Sequence, residues 1–75
     1  MNLSEIPKRT RVKIMEITQP FLRTKLMAMG VVPGVEITLT LKAPFRGPIA
    51  FAYGNTQISI RCEDAACIMV NPIVP

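Results

Sequence analysis

Histidine and tryptophan are both missing from this chain, and these absences exclude several kinds of site. Without histidine there is no imidazole to act as a general base near neutral pH or to bind a metal ion. Aromatic residues make up only 5% of the chain, so the core has to be aliphatic. No apolar run approaches the roughly 18 residues that a membrane-spanning helix needs. The sequence therefore indicates neither a histidine-dependent enzyme nor a membrane-spanning protein.

The length of 75 residues leaves room for one domain, and we expect a single domain over residues 1–75. Apolar residues form 49% of the chain and charged residues 19%, which is typical of a folded globular domain. A domain of this size buries only about 60% of the surface that its unfolded chain exposes. The core is therefore thin, and a deep catalytic pocket is not expected.

Cysteine is scarce, with Cys62 and Cys67 as the two examples. The segment Met1 to Arg11 lacks the apolar centre of a secretion signal, so we expect reduced thiols in a cytosol. A zinc site needs about four ligands, which two cysteines supply only if the chain dimerises. The pair is therefore expected to act as small buried hydrophobes, with a metal-sensing role as a weaker alternative and no cofactor predicted.

Short segments of alternating apolar and polar residues predict β-strands. The clearest runs from Val35 to Lys42, where Val35, Ile37, Leu39 and Leu41 are predicted to point to one side. A change of phase near Met15 and Glu16 predicts either a β-bulge or the end of the first strand there. The remaining strands are predicted over residues 11–18, 49–53, 56–61 and 67–71.

One segment has helical spacing, because Leu22, Leu26 and Met29 recur at intervals of four and three residues. Pro20 suits the first helical turn, and Gly30 suits the position just beyond the last. A shorter helical turn is predicted over residues 62–66. The sequence thus predicts a mostly β fold, a small partly open barrel of about five strands with a helix inserted after the first strand.

The helix and the loop over residues 43–48 supply the candidates for contact with a partner. Aromatic and arginine side chains often anchor interfaces, and Phe45 and Arg46 lie together in this loop. The alternative for Phe45 is that it folds back onto the edge of the barrel. The apolar arc of the helix is wider than one stripe, so part of it is expected at the surface, although Leu26 also suits the core. The predicted docking face consists of Arg23, Lys25, Leu26, Met27, Phe45 and Arg46.

The net charge of +4 favours an acidic partner. Four cations lie close together in the N-terminal arm and first strand, namely Lys8, Arg9, Arg11 and Lys13. A nucleic-acid patch is one interpretation, but small RNA-binding barrels usually interleave aromatic residues for base stacking, and this segment has none. The preferred interpretation is a solvated face or a contact with an acidic partner.

Several short motifs occur in an order that resembles the FeoA family, the small partner of the bacterial ferrous iron transporter. The resemblance covers about residues 11 to 70, and its motifs together are more specific than any one of them. They are Lys25-Leu26, Gly30, Pro33-Gly34, Pro44, Gly47-Pro48, Ile58 to Arg61 and Asp64 to Val70.

This resemblance implies an SH3-like barrel with a non-enzymatic role in ferrous iron uptake. It implies work at the cytoplasmic side of the membrane, where the domain binds and supports FeoB, a permease that carries a GTP-binding domain. Neither a cofactor nor a nucleic-acid partner is implied, and a weak homo-oligomer is left open. The alternative from the residues alone is a small basic nucleic-acid-binding barrel.

Overall fold

The computed structural model describes residues 1–73. It confirms a mostly β fold of five strands with a helix after the first strand. In chain order the elements are a 3₁₀ helix at Leu3–Glu5, β1 at Arg11–Ile17, α1 at Pro20–Met27, β2 at Glu36–Lys42, β3 at Ile49–Tyr53, β4 at Thr56–Ile60, α2 at Cys62–Ala65 and β5 at Ile68–Pro72.

All five strands belong to one antiparallel sheet in the order β4-β3-β2-β1-β5. The molecule measures 29 × 27 × 24 Å, so the sheet is curled around its core rather than open and flat. The helix α2 connects the two edge strands, β4 and β5, and packs against the 3₁₀ helix. The architecture is therefore the predicted small, partly open barrel.

The core is aliphatic apart from Phe51, as the composition predicts. Every strand contributes to it, as do Leu22 and Leu26 of α1 and Val31 just beyond the helix. The largest of its fully buried members are Phe51, Leu3, Ile6, Ile14, Ile17, Leu26, Ile37, Leu39, Ile49, Ile68, Val12 and Val31.

The helix α1 ends two residues before the predicted end at Met29. Its last turn is closed by two backbone hydrogen bonds, from the N–H of Gly30 to the carbonyl of Met27 and from that of Val31 to Leu26, both 3.0 Å long. Gly30 has φ +82°, a left-handed conformation that glycine adopts without steric cost. This is a Schellman ending, and it confirms the predicted place of Gly30.

Two bulges set which side chains of β1 and β2 reach the core. The register between β1 and β5 shifts between Ile14 and Glu16, which confirms the predicted bulge. A second shift, between Leu39 and Leu41, was not predicted, and it rotates Leu41 out to 45% exposure. The prediction that Leu41 shares the inward side with Leu39 was therefore wrong, because the extra residue Thr40 reverses the alternation.

The first six residues are part of the core structure, which the sequence analysis did not predict. Asn2 caps the 3₁₀ helix by accepting from the N–H of Ser4, while Glu5 accepts from the N–H of Asn2 at 2.8 Å. This capping arrangement directs Leu3 and Ile6 inward, where both are fully buried. The carbonyl of Met1 also accepts from Val70 in β5.

The last strand extends one residue further than predicted. Pro72 pairs with Val12 instead of ending the strand before it. A proline is tolerated there because β5 is an edge strand, and no neighbour on its outer side needs the missing N–H.

Candidate partner-binding surface

The helix α1 separates its predicted contact residues onto two sides. Arg23 and Met27 are four residues apart and share one side, whereas Lys25 lies roughly 200° around the helix from Arg23. The Arg23 guanidinium donates a hydrogen bond of 3.3 Å to the carbonyl of Ile17 in β1. Met27 remains 57% exposed. The structure therefore does not bring all of the predicted helix residues into one contact face.

Leu26 is part of the core and not of the surface. Its side chain is 0% exposed and belongs to the same buried cluster as Leu22. This burial is the core position that the sequence left open as the alternative for Leu26, and it leaves Leu26 no exposed surface to contribute to the predicted docking face. The cause is the Schellman ending, which folds Val31 back over the helix and buries it together with Leu26.

A groove lies between α1 and the end of β4, with a volume of about 350 Å³. We call it the helix groove, and it is lined by Leu22, Lys25, Leu26, Met29, Pro48, Ile58, Ser59, Ile60, Arg61 and Asp64. Arg61 donates two hydrogen bonds to Asp64, of 3.2 and 3.4 Å. These bonds and the charge of Asp64 raise the pKa of Arg61 above its usual value. In the lining of this groove, Arg61 and Asp64 thus neutralise each other, and Lys25 contributes the remaining positive charge.

A second groove lies beneath the loop that joins β2 to β3, with a volume of about 470 Å³. We call it the loop groove, and it is lined by Ser4, Lys42, Ala43, Pro44, Phe45, Arg46, Gly47, Ile49 and Cys62. Lys42 is held there by a hydrogen bond of 3.4 Å from its ammonium group to the carbonyl of Ile6. Two cations, Lys42 and Arg46, thus line this groove, and none of the carboxylates of residues 1–73 does.

The linings of the two grooves meet at two points along the chain. Pro48 lines the helix groove and the residue after it, Ile49, lines the loop groove. Arg61 and Cys62 are divided between the two grooves in the same way. The structure thus places Lys25 in the lining of the helix groove and Phe45 and Arg46 in the lining of the loop groove, while Arg23 and Met27 lie outside both linings.

Phe45 points away from the barrel, with 99% of its side chain exposed. The alternative that Phe45 folds back onto the barrel edge was therefore wrong. The tip is a tight turn, in which the N–H of Gly47 donates to the carbonyl of Pro44 at 3.1 Å. A side chain at Gly47 would place its Cβ 2.8 Å from the Cβ of Ala43, so the turn closes as tightly as glycine allows.

The two cysteines are free thiols that pack against the core but are only partly buried, so the prediction of buried hydrophobes holds in part. Cys67 donates a weak hydrogen bond of 3.6 Å to the carbonyl of Glu63. Within residues 1–73, no three cysteine, aspartate or glutamate side chains come together as a metal ion would require.

The basic cluster of the first strand is interrupted by a carboxylate. Glu36 forms an ion pair of 2.6 Å with Arg11 and lies directly opposite Lys13 in the register of β1 and β2. Two of the four cations therefore share one negative neighbour, which weakens the field that a phosphate backbone would meet. None of the helices in residues 1–73 has the length and apolar character needed to cross a membrane.

Comparisons with known proteins agree with this architecture. The model of the FeoA domain family matches residues 1–72. A curated relative from Porphyromonas gingivalis, an Fe(2+) transport protein A/Fe(2+) transporter FeoB fusion protein, is 34% identical over 74 residues, or 97% of this chain. This chain spans only 9% of the length of that relative.

Solved structures show the same fold. The FeoA protein from Chlorobium tepidum superposes with a TM-score of 0.90 at 27% identity, covering 99% of this chain and 71% of that one. The FeoA from Stenotrophomonas maltophilia, solved in complex with zinc and described as a prokaryotic SH3 domain protein, gives a TM-score of 0.81 at 25% identity, with 95% and 89% of the two chains covered. The curled five-stranded sheet is therefore the SH3-like barrel, and this chain belongs to the FeoA domain family.

Proposed function

We propose that this chain is an accessory protein of ferrous iron uptake that binds a FeoB-type ferrous iron permease. The observation that carries the proposal is the Porphyromonas gingivalis relative, in which a FeoA domain and a FeoB transporter form one polypeptide. A covalent link gives two partners a high effective concentration, and a separate domain needs a binding surface to reach the same proximity. A FeoA domain is therefore expected to contact its transporter through a binding surface of its own.

The proposed activity is binding, with no chemical step. Lys25 lines the helix groove, and Phe45 and Arg46 line the loop groove; together they are two cations and one large aromatic side chain. Arginine and aromatic residues contribute more than their share of the free energy of protein association. Such a surface suits a protein partner better than it suits a small substrate.

We place the domain at the cytoplasmic face of the membrane, held there by the permease. The docking face we propose is centred on Lys25, Phe45 and Arg46, with Arg23 and Met27 at its far margin. Leu26 supports this face from beneath, since its burial fixes the position of α1 on the barrel.

The test is a titration of the purified chain with detergent-solubilised FeoB-type permease from the same organism, at low and at moderate salt. Saturable binding to the permease is the expected result. A duplex RNA serves as the parallel ligand, because counterion release makes binding to phosphates fall steeply with salt. Binding to RNA alone, lost at moderate salt, would overturn the proposal in favour of a nucleic-acid-binding barrel.

A further inference from the structure

The turn at the tip of the β2–β3 loop has an unusual sequence for its backbone conformation. Its two central residues, Phe45 and Arg46, have φ +58° and +59°, and the turn is closed by the hydrogen bond from Gly47 to Pro44. Two consecutive positive φ values define a type I′ turn, which strongly prefers Asn-Gly or Gly-Gly. Ordinary L-residues are strained in this conformation. A phenylalanine and an arginine at these positions therefore oppose the stability of the loop.

The side chains of Phe45 and Arg46 do not offset this backbone strain by contacts within the domain. Its ring is 99% exposed and so contributes nothing to the core. Arg46 forms no ion pair within residues 1–73, where Arg11–Glu36 and Arg61–Asp64 are the two such pairs. Strained residues whose side chains do nothing for their own fold are characteristic of functional sites.

The loop groove beside this turn has the chemistry to receive an acidic peptide. Its volume of about 470 Å³ lies within the range of known ligand sites. Ala43 and Pro44 supply apolar surface, and Lys42 and Arg46 supply positive charge. Glu5 and Glu63 each follow a residue of the lining, Ser4 and Cys62, but neither carboxylate lines the groove. Glu5 instead accepts a hydrogen bond from the N–H of Asn2.

We propose that the loop groove binds an acidic segment of the partner protein that carries a large aliphatic side chain, with Phe45 packing over it and Arg46 pairing with its carboxylates. This proposal rests on the proposed function, since it specifies which part of a permease partner the domain recognises. A peptide fits better than a membrane surface, because the two cations line a concavity rather than a flat or convex face. Anionic lipid is therefore treated as an outcome that would refute the proposal.

The first test uses a capped hexapeptide in which four glutamates flank two leucines, added to isotope-labelled full chain and followed by NMR. We expect saturable shifts of the backbone amides that line the loop groove, including that of Cys62. The matched probe carries lysines in place of the glutamates and should leave these amides unchanged. Shifts confined to other parts of the barrel, equal effects of both probes, or no shifts at all would each overturn the proposal.

Two variants separate the roles of the turn residues. Arg46→Glu should weaken binding of the acidic probe by about tenfold, and Phe45→Ser by a similar factor. Lys8→Glu, a change of equal charge in the N-terminal arm, is the control and should leave binding within about twofold. Equal weakening by Lys8→Glu would mean that only net charge matters and would refute a specific groove.

Two further measurements distinguish failure of this inference from failure of the proposed function. If the permease binds Phe45→Ser and Arg46→Glu as tightly as the unchanged chain, the permease partnership stands and the loop groove is the wrong site. If the acidic probe binds the groove but the permease does not bind at all, the groove is right and the proposed function is wrong. Binding to vesicles of anionic phospholipid that depends on Phe45, without binding of the probe, would assign the turn to a membrane surface and refute the peptide site.

Discussion

Replacing Phe45 by Asn and Arg46 by Gly is expected to make the domain more stable and less able to bind its partner. An ordinary L-residue in the left-handed region costs about 1–2 kcal/mol, so the two central residues of the turn together cost about 2–4 kcal/mol. Glycine is more flexible in the unfolded chain and gives back about 0.5–1 kcal/mol of this. Because the ring of Phe45 is exposed, its replacement costs no free energy of hydrophobic burial. The expected net gain is therefore about 2 kcal/mol.

For a domain of this size, about 1 kcal/mol corresponds to roughly 4–8 °C in Tm, so Phe45→Asn/Arg46→Gly should raise Tm by roughly 8–16 °C. Calorimetry and urea unfolding measure the change, and the slope of the urea transition should stay constant. The matched control is Phe45→Ala/Arg46→Ala, which removes the same side chains but keeps L-residues with a Cβ in the turn. Its stability should stay near that of the unchanged chain. An unchanged or lower Tm for the Asn-Gly variant would refute the argument that the turn is strained.

Three other predictions test the core, the second bulge and the helix. Leu3→Ala should cost about 2–5 kcal/mol in urea unfolding because Leu3 is fully buried, whereas Met1→Ala should cost little; equal effects would contradict the core role of the 3₁₀ helix. Thr40→Val should raise the unfolding free energy by about 1 kcal/mol, since the buried Thr40 hydroxyl has no hydrogen-bond partner among residues 1–73, and a loss of stability would show that the hydroxyl is satisfied in solution. Lys25→Glu should weaken permease binding in titration while Arg23→Glu, on the other side of α1, changes it less; the reverse order would move the docking face towards β1.

Much of the fold could be predicted because local chemistry and burial agree along most of the chain. Alternation identified the strands, and Gly30 marked the end of α1, since it takes the left-handed conformation at low cost. The bulge near Met15 was visible as a change of phase within one strand. In each case the residues themselves carry the signal, and no distant contact had to be known.

The second bulge and the N-terminal segment show where local reading fails. Leu41 continues the alternation of β2, so nothing within the strand indicates the register shift at Thr40, which depends on pairing with β3. The 3₁₀ helix did leave a signal, because Asn2 followed by Glu5 three residues later is a capping pattern. That pattern predicts an ordered N-terminal turn with Leu3 directed inward.

The candidate surface was predicted less well than the fold. The physical reason differs between the residues of α1 and those of the β2–β3 loop. On α1, the four-residue spacing from Leu22 to Leu26 favours Leu26 for the core, but the apolar neighbour Met27 widens the apolar arc and obscures that signal. In the loop, Pro and Gly indicate a turn, but Phe45 and Arg46 give no local sign of a left-handed conformation.

The turn at Phe45 and Arg46 links stability to function in a single feature. A sequence selected only for stability would place Asn-Gly at these positions, where the backbone demands positive φ twice in succession. The same backbone conformation leaves the Phe45 side chain exposed next to Arg46 at the rim of the loop groove, so relaxing the strain and keeping the proposed contact are alternatives. Because function tends to be retained at the expense of stability in this way, the strained turn is a better guide to the binding surface than the exposed methionines of the helix, whose conformation costs nothing.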